Sequence, residues 1–281
     1  MHKRNKKIKI RRIILILIVG FFLWKIGIMP LLQGSHSKNR IEGNPIEMLS
    51  VPKSYREIFG SLQKKYNYKK IQEMRAHYQE YPLSLLTLLD KNEDAFDFVY
   101  QYPTKKNTEI GSIQTKEIKN QVPTFYQWDA RWGYHVYGED VMGITGCAPT
   151  SLSMVLSYLN QDTTLSPYKL ALYAEKNGYY IEGQGTLWAF LEKTAMQYNV
   201  YTKRVNLNTT SITTALKNDH PIILRMGPGD FTETGHFIVL CGFYQDGSLI
   251  VHDPNSKQRT NKHWSIKQVL SQASAGWEFY K

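Results

Sequence analysis

The stretch TGCAPTSLSMVLSYL, residues 145–159, holds one of the two cysteines of this 281-residue chain. Its apolar residues recur at helical spacing and form one stripe: Leu152, Val155, Leu156 and Leu159. Pro149 suits the first turn of this predicted helix, because its φ is fixed near the helical value and its missing N–H is not needed there. Cys147 is therefore predicted at a helix N-terminus, where unpaired N–H groups and the positive end of the helix dipole favour a thiolate.

A second informative stretch, residues 233–256, offers a base for that thiol. Its sequence, ETGHFIVLCGFYQDGSLIVHDPNS, is typical of a β-hairpin with a turn around residues 244–247. If the connection has an even number of residues, partners across the antiparallel ladder have numbers with an odd sum. His236 and Asp253 then share one face, and His252 lies on the other. The pattern favours Asp253 over His252 as the partner of His236.

The register of this hairpin decides whether the two side chains can meet. A two-residue Asp-Gly turn would place Asp253 opposite Leu240, about four residues or ~13 Å from His236. We therefore expect a longer turn or a β-bulge. Gly242 is the natural site for a bulge, since glycine inside a strand often marks one.

Nucleophilic catalysis needs these groups in one place. The base must reach the thiol, and a third group must fix the tautomer of the base and stabilise the imidazolium. A backbone N–H at the helix start and a side-chain amide would complete the set by holding an oxyanion. Taken singly, Cys147 could be a structural thiol and His236 a strand-end histidine, so the catalytic interpretation requires that they converge.

The charge of the chain is concentrated at its start. The formal net charge is +11, and seven of the basic residues lie in the first twelve positions. The rest of the sequence has no Lys/Arg block of the kind that nucleic-acid-binding domains carry, so we predict no nucleic-acid partner. The basic tail, residues 1–12, precedes IILILIVGFFLWKIGIMPLL, residues 13–32. This pattern predicts a cytoplasmic tail and a transmembrane signal-anchor helix.

The anchor sets the predicted location of everything that follows. With the basic end in the cytoplasm, the protein is a single-pass protein of the cell membrane with its catalytic domain outside the cell. A cleaved signal peptide is the alternative, with an apolar region at residues 13–24 and GSHS at residues 34–37 as the cleavage region, and the protein is then secreted. Two exported cysteines could form a disulfide, but we expect none, because Cys241 lies in the apolar stretch HFIVLCGF.

Changes in composition divide the remainder of the chain. Residues 33–48 are a polar linker, residues 49–106 a helical segment in which Asn92 is a predicted N-cap, and residues 107–121 a second linker. Within residues 122–281, helical patterns come first (CAPTSLSMVLSYL, GTLWAFLEKTAMQYNV, SITTALKNDH), and strands follow (PIILRM, HFIVLCGFY, SLIVHD, GWEFYK). Helices followed by antiparallel strands indicate an α+β domain.

Four motifs occur in order along the last domain: QWDARW, GCAPTS, the strand beginning GHF, and the turn DPN. Together they resemble the papain-like cysteine peptidases related to the bacteriocin-processing, double-glycine-leader peptidases, and most of all the stand-alone exported type. The resemblance covers about residues 122–281. It implies a papain-like fold, with an N-terminal helix-rich lobe plus an antiparallel sheet. The stretch YPLSLLTLLDKNEDAFDFVYQYP also resembles the helical segment that often precedes this domain.

The resemblance implies a role for four residues. Cys147 matches the nucleophile, His236 the general base and acid, Asp253 the orienting carboxylate, and Gln127 the glutamine of the oxyanion hole. Ala148 stands where glycine is frequent, and we expect no loss of activity because alanine adopts ordinary helical dihedrals. No cofactor is implied. The spacing of the Cys, His and Asp residues matches no compact zinc motif, so we predict no metal.

The sequence therefore predicts a membrane-anchored extracellular cysteine peptidase or amide hydrolase that acts on a peptide or protein through a thioester acyl-enzyme. Two alternatives stay open. On the same fold, an amine could resolve the acyl-enzyme in place of water, which would make the protein an acyltransferase or transpeptidase. The domain could also be a catalytically inactive surface binding module that keeps the four residues as a relic.

Other conspicuous residues have structural interpretations. Trp132 is predicted as a core anchor rather than a substrate platform, and Cys241 as a structural thiol. His135, His220 and His263 are predicted at the surface or in turns.

Overall fold

The computed structural model describes residues 51–281. The predicted basic tail, transmembrane helix and first linker, residues 1–48, lie outside the described residues. No helix within the described range has both the length and the apolar character needed to cross a membrane. Pro52–Lys281 form one compact unit.

An N-terminal group of short helices, here called the helical region, occupies residues 53–105. Its elements are α1 Lys53–Lys65, α2 Tyr68–Ala76, a 3-10 turn Tyr78–Glu80, α3 Leu83–Lys91, a 3-10 turn Glu93–Ala95 and α4 Phe96–Lys105. The predicted apolar face of α3, Leu85, Leu86 and Leu89, is fully buried. Asn92 acts as the predicted N-cap, since its side chain accepts the Asp94 N–H at 3.1 Å.

The rest of the described chain combines eight helices with nine strands. The helices are α5 Thr115–Ile118, α6 Met142–Thr145, α7 Cys147–Asn160, α8 Pro167–Lys176, α9 Ala189–Gln197, α10 Thr209–Lys217, α11 Lys257–Thr260 and α12 Ile266–Leu270. The strands are β1 Val136–Tyr137, β2 Asp140–Val141, β3 Tyr180–Ile181, β4 Gly185–Thr186, β5 Tyr201–Arg204, β6 Ile222–Met226, β7 His236–Phe243, β8 Leu249–His252 and β9 Ala273–Tyr280. The predicted combination of helices with an antiparallel sheet is confirmed. Helices α5, α6, α8, α11 and α12 and strands β1 to β5 were not predicted, and α5 lies within the predicted second linker, residues 107–121.

One five-stranded antiparallel sheet organises this part of the chain. Its strand order is β5-β9-β6-β7-β8, and β1-β2 and β3-β4 form separate two-stranded pairs. Strand β7 lies inside the sheet between β6 and β8 and is buried over its first five residues, which is why its sequence is continuously apolar after His236. One core cluster packs around helix α7, and another fills the space between the sheet and helices α10 and α12.

Helix α7 is the buried helix of the first cluster. Residues 148–157 are all buried, so the helix is enclosed on every side rather than along one stripe. Trp132 is fully buried in the same cluster, and its indole N–H donates to the Tyr126 carbonyl at 2.8 Å. The prediction that Trp132 is a core anchor is confirmed.

Candidate active site

The thiol of Cys147 lies at the first residue of α7. The predicted helix start is therefore confirmed, with Pro149 in the first turn. At this position the Cys147 N–H has no acceptor within the helix, and the side chain is partly exposed. One turn later, the Ser151 hydroxyl donates to the Phe237 carbonyl at 3.3 Å, which joins α7 to the start of β7.

The β7–β8 hairpin has a turn that differs from the expected one. Phe243 pairs with Leu249, so the connection, residues 244–248, has an odd number of residues, and the assumption of an even one was wrong. With that turn alone, paired residues have numbers with an even sum. His236 and Asp253 would then point to opposite faces.

A β-bulge corrects the register. It lies between Leu240 and Gly242, the site expected for it, and beyond it Val239 pairs with His252. Gly242 has φ 151°, in the region that favours glycine. The bulge inserts one extra residue in β7, and together with the odd turn it returns the sum of paired numbers to an odd value.

The corrected register brings His236 and Asp253 together. The His236 Nε2 lies 2.8 Å from Asp253 Oδ1, and both side chains are almost completely buried. Because a carboxylate only accepts, this contact places a proton on Nε2 and leaves Nδ1 for a second partner. The Cys147 side chain lies near enough to the His236 ring to raise the pKa of the imidazole.

The electrostatics of His236 result from opposing effects. Burial lowers the pKa of the imidazole, but the charge and hydrogen bond of Asp253, followed by the contact with Cys147, raise it to about 9. Burial also raises the pKa of Asp253, yet the His236 and Arg259 cations more than offset this, and the pKa lies below its usual value. The site therefore holds a carboxylate that stabilises an imidazolium.

Asp253 is held by residues that follow it in the chain. Arg259 donates through Nε to Asp253 Oδ2 at 2.5 Å, and the Asn255 N–H donates to Oδ1 at 2.7 Å. The Thr260 hydroxyl accepts the Asp253 N–H at 3.0 Å. Arg259 thus holds the oxygen that faces away from His236, Asn255 holds the oxygen that faces it, and Thr260 holds the Asp253 backbone. We call residues 253–256 the aspartate loop.

Gln127 is buried beside the turn that precedes the nucleophile. Its Nε2 donates to the carbonyls of Gly143 at 2.9 Å and Ile144 at 3.2 Å, both in α6. Both amide hydrogens are thus engaged by backbone oxygens, and Oε1 has no partner among the described residues. The Gln127 backbone N–H donates to the Pro254 carbonyl at 2.7 Å, which links it to the aspartate loop.

His252 and Cys241 lie apart from this group. His252 donates through Nδ1 to the Pro123 carbonyl at 3.0 Å, and Nε2 lies 3.2 Å from the Thr124 hydroxyl. Burial lowers the pKa of His252 to about 4 and raises that of Cys241 above its usual value. Both cysteines are free thiols. The face assignment of His252 made from the sequence is confirmed.

Metal ligands do not cluster in the part of the chain that the structure covers. No group of three or more His, Cys, Asp or Glu residues there could hold an ion. His263 pairs with Asp246 at 2.6 Å in an exposed position, and His220 pairs with Glu278 at 2.7 Å.

Some residues of the site were missed by sequence reasoning. Arg259 and Thr260 hold Asp253 from helix α11, and Ser151 connects α7 to β7. The only local signal was Ser256, a good N-cap that accepts the Arg259 N–H at 3.1 Å and could have indicated a short helix after the DPN turn. Which way Arg259 points depends on the fold around it.

A cleft opens beside Gln127. It has a volume of about 550 Å³ and is bounded by Ile144, by the loop of residues 229–234, and by helix α3. The α3 side chains that line it are Ser84, Thr87, Leu88 and Lys91. Hydroxyl, apolar and charged groups therefore alternate along its walls.

Comparison with known proteins assigns residues 119–281, more than half of the chain, to the profile described as the Peptidase_C39 like family. Among solved structures, the chain is similar to the peptidase domain of Streptococcus ComA, described as a bi-functional ABC transporter involved in a quorum sensing pathway. The identity is 19% and the TM-score 0.37, over 48% of this chain and 90% of that one. No curated protein matches the chain.

Proposed function

Because this chain belongs to the Peptidase_C39 like family, we propose that it is a cysteine peptidase of papain-like fold that uses Cys147, His236 and Asp253 as its triad. The observation that carries the proposal is the position of His236. Its Nε2 is held by a buried carboxylate at 2.8 Å, and its ring lies near enough to Cys147, the only thiol that begins a helix in residues 51–281, for that thiol to raise the imidazole pKa.

The proposed reaction follows from these contacts. The Cys147 thiolate attacks the carbonyl carbon of an amide, a C–S bond forms, and the carbonyl oxygen becomes an oxyanion. The His236 imidazolium gives its proton to the leaving nitrogen, the C–N bond breaks, and a thioester remains. His236 then removes a proton from water, which attacks the thioester, and collapse of the second oxyanion releases an acid and the thiolate. Asp253 keeps the ring oriented and stabilises its charge.

Stabilisation of the oxyanion is assigned to the Cys147 backbone N–H and to Gln127. Since both Gln127 amide hydrogens are engaged, one must be shared with or transferred to the oxyanion. The bond to Ile144 is the longer one, and we propose that it is exchanged. Gln127→Ala should lower kcat by about 10²–10³ with little change in KM. An unchanged kcat would remove Gln127 from the mechanism.

The substrate is proposed to be a peptide that lies partly in the cleft beside Gln127, whose lining does not include Cys147 or His236, and that extends from this cleft to the thiol. Its volume of about 550 Å³ accommodates several residues of an extended chain, and its mixed polar and apolar walls suit such a segment. The full-length protein is incubated with a peptide library, and the products are identified by mass. Products that the Cys147→Ala protein also forms would contradict a thiol mechanism.

The engaged amide of Gln127 is the one observation that favours the alternative, an inactive binding module. The same library separates the two: a binding module would retain peptides without cleaving them, and wild type and Cys147→Ala would retain the same set. Acyl transfer on the same site is tested by adding free amines. Products that gain the mass of the amine would indicate a transferase.

We propose that residues 13–32 anchor the protein in the cell membrane, with the peptidase outside. Support comes from the sequence pattern of basic residues followed by an apolar stretch. In intact cells, an added protease should degrade the peptidase domain while the protein sediments with membranes. A mature N-terminus beyond residue 33 would show instead that the segment is a cleaved signal.

A further inference from the structure

The helical region reaches the aspartate loop through Asp94. Its Oδ2 accepts the backbone N–H groups of Lys257 at 2.7 Å and of Gln258 at 3.2 Å, and the Ser256 hydroxyl lies 3.4 Å away. Asp94 thus caps the N-terminus of helix α11 from more than 160 residues away in sequence. A carboxylate at this position satisfies donors that the helix itself leaves unpaired.

Helix α11 is the element that holds the catalytic carboxylate. It carries Arg259, which donates to Asp253 Oδ2, and Thr260, whose hydroxyl accepts the Asp253 N–H. The helix has only four residues, so propensity alone does not stabilise it. The position of Arg259 therefore depends on the capping groups at the helix start, the Ser256 hydroxyl and the Asp94 carboxylate.

Asn92 makes a second connection, directly to the loop. Its Nδ2 donates to the Asn255 carbonyl in a short hydrogen bond, and lies 3.4 Å from Asn255 Oδ1. The Asn255 N–H in turn donates to Asp253 Oδ1, the oxygen that faces His236. A continuous set of hydrogen bonds thus runs from Asn92 to the imidazole.

The contact between the helical region and the peptidase core is also apolar. The Phe98 ring stacks on Tyr134 at 4.4 Å, and Tyr134 donates to the Phe98 carbonyl at 3.0 Å. Phe98 also lies so close to Gly143 that a Cβ there would fall 2.6 Å from the ring. The Gly143 carbonyl is the one that holds the Gln127 amide.

We propose that the helical region completes the active site, and that Asn92 and Asp94 are positioning residues that hold the aspartate loop in register with His236. The proposal rests on the function proposed above. It extends the active site beyond residues 119–281, the part that matches the family, to a segment that precedes it. Neither residue belongs to the triad: Asp94 acts through helix α11, and Asn92, which also borders the cleft beside Gln127, acts through Asn255.

Two variants of the full chain test the proposal. Asn92→Ser keeps a side-chain oxygen that can cap the 3-10 turn but lacks the amide that reaches Asn255. Asp94→Ala removes the acceptor of the Lys257 and Gln258 N–H groups and leaves the Ser256 cap of α11 in place. Both should lower kcat about tenfold or more with a smaller change in KM, because the His236 orientation is loosened. The control is Asp97→Ala, which removes an exposed carboxylate one turn further along and should behave as wild type.

The second readout is the pH profile of Cys147 alkylation by iodoacetamide. When the carboxylate is displaced, the imidazolium loses its partner, and the thiolate forms only at higher pH. The acidic limb should therefore move up by about one pH unit in both variants. A merely structural role would lower stability without moving this limb. If Asp94→Ala does not fold, Asn92→Ser decides the outcome.

A third readout separates this proposal from the proposed function. The titration of the His236 ring, followed by NMR, reports the contact with Asp253 even in a protein without activity. A shift to lower pH in Asn92→Ser, together with an inert wild type, would refute the peptidase and support the positioning role. A normal titration and profile in both folded variants would overturn the positioning role alone.

Discussion

Two combinations of a thiol and an imidazole lie near the five-stranded sheet. Cys147 and His236 interact with each other, whereas Cys241 and His252 lie on the adjacent strands β7 and β8. All four belong to the same region of the fold, and both imidazoles are largely buried. Yet the pKa of His236 is raised to about 9, whereas that of His252 is lowered to about 4.

The difference is the carboxylate. Burial lowers the pKa of both imidazoles, but His236 has Asp253, whereas His252 has a carbonyl and a hydroxyl as its polar partners in the described structure. The thiols differ in the same way, since Cys147 begins a helix and Cys241 lies inside a strand where burial raises its pKa. We therefore expect Cys241 and His252 to be inert, because a reactive thiol needs a stabilising charge or a helix N-terminus.

The largest expected effect comes from replacing each cysteine by alanine in turn. Cys147→Ala should abolish cleavage, and Cys241→Ala should retain most of it, because only the first sulfur meets a base. In wild type at pH 7, iodoacetamide should modify Cys147 at least about 100-fold faster than Cys241, as measured by mass spectrometry of tryptic peptides. Equal rates would break the contrast between the two thiols.

Removing the carboxylate should make His236 resemble His252. Asp253→Asn should lower kcat by roughly 10²–10⁴, because the amide neither fixes the tautomer nor stabilises the imidazolium. The matched control is Asp246→Asn, which removes the carboxylate of an exposed Asp–His pair, with His263. Steady-state kinetics on the identified substrate measure both. Comparable losses in the two variants would contradict the triad.

The two imidazoles should affect the free energy of unfolding at opposite ends of the pH range. The raised pKa of His236 stabilises the fold below about pH 6.5, and this contribution is lost as the pH rises through about 9. The pKa of His252 is lowered, so this residue contributes its full stabilisation of the fold above about pH 6.5. That stabilisation is lost as the pH falls towards 4.

His252 should therefore account for about 2 kcal/mol of the stability lost between pH 7 and pH 5. Urea unfolding of His252→Gln should show a loss smaller by that amount. His77→Gln, which removes an exposed imidazole, serves as the control and should change the loss by less than about 0.5 kcal/mol. An acid sensitivity equal to that of wild type would mean that His252 is not the buried neutral group described here.

The smallest expected effect concerns the β-bulge at Gly242, which sets the register of β7 against β8. Gly242→Ala meets only Ile250 at 3.9 Å, so its cost is the backbone strain at φ 151°, roughly 1–2 kcal/mol. Gly247→Ala, at φ 81° in the turn, is the matched control with similar strain. Only Gly242→Ala should also lower kcat, because only the bulge sets the register of Asp253. Equal activity in the two variants would contradict the idea that the bulge positions Asp253.

Local chemistry was enough to predict much of this protein. The apolar stripe after Cys147 and the position of Pro149 predicted the start of α7, since both depend only on neighbours within two turns. The apolar runs predicted the three strands that carry His236 and its surroundings, and Gly242 predicted the bulge, because a positive φ is a property of one residue. The four candidate site residues were all recognisable from motifs.

The tertiary structure decided the contacts between residues that are far apart in the sequence. The parity argument reached the right pairing of His236 with Asp253 only because an odd turn and a bulge cancel. No pattern of neighbouring residues indicates that both Gln127 amide hydrogens are bonded to backbone carbonyls. None indicates that Asn92 and Asp94 bond to the segment around Asp253 and helix α11. A helix start depends on adjacent residues, whereas a hydrogen bond between groups 160 residues apart exists only once packing has brought them together.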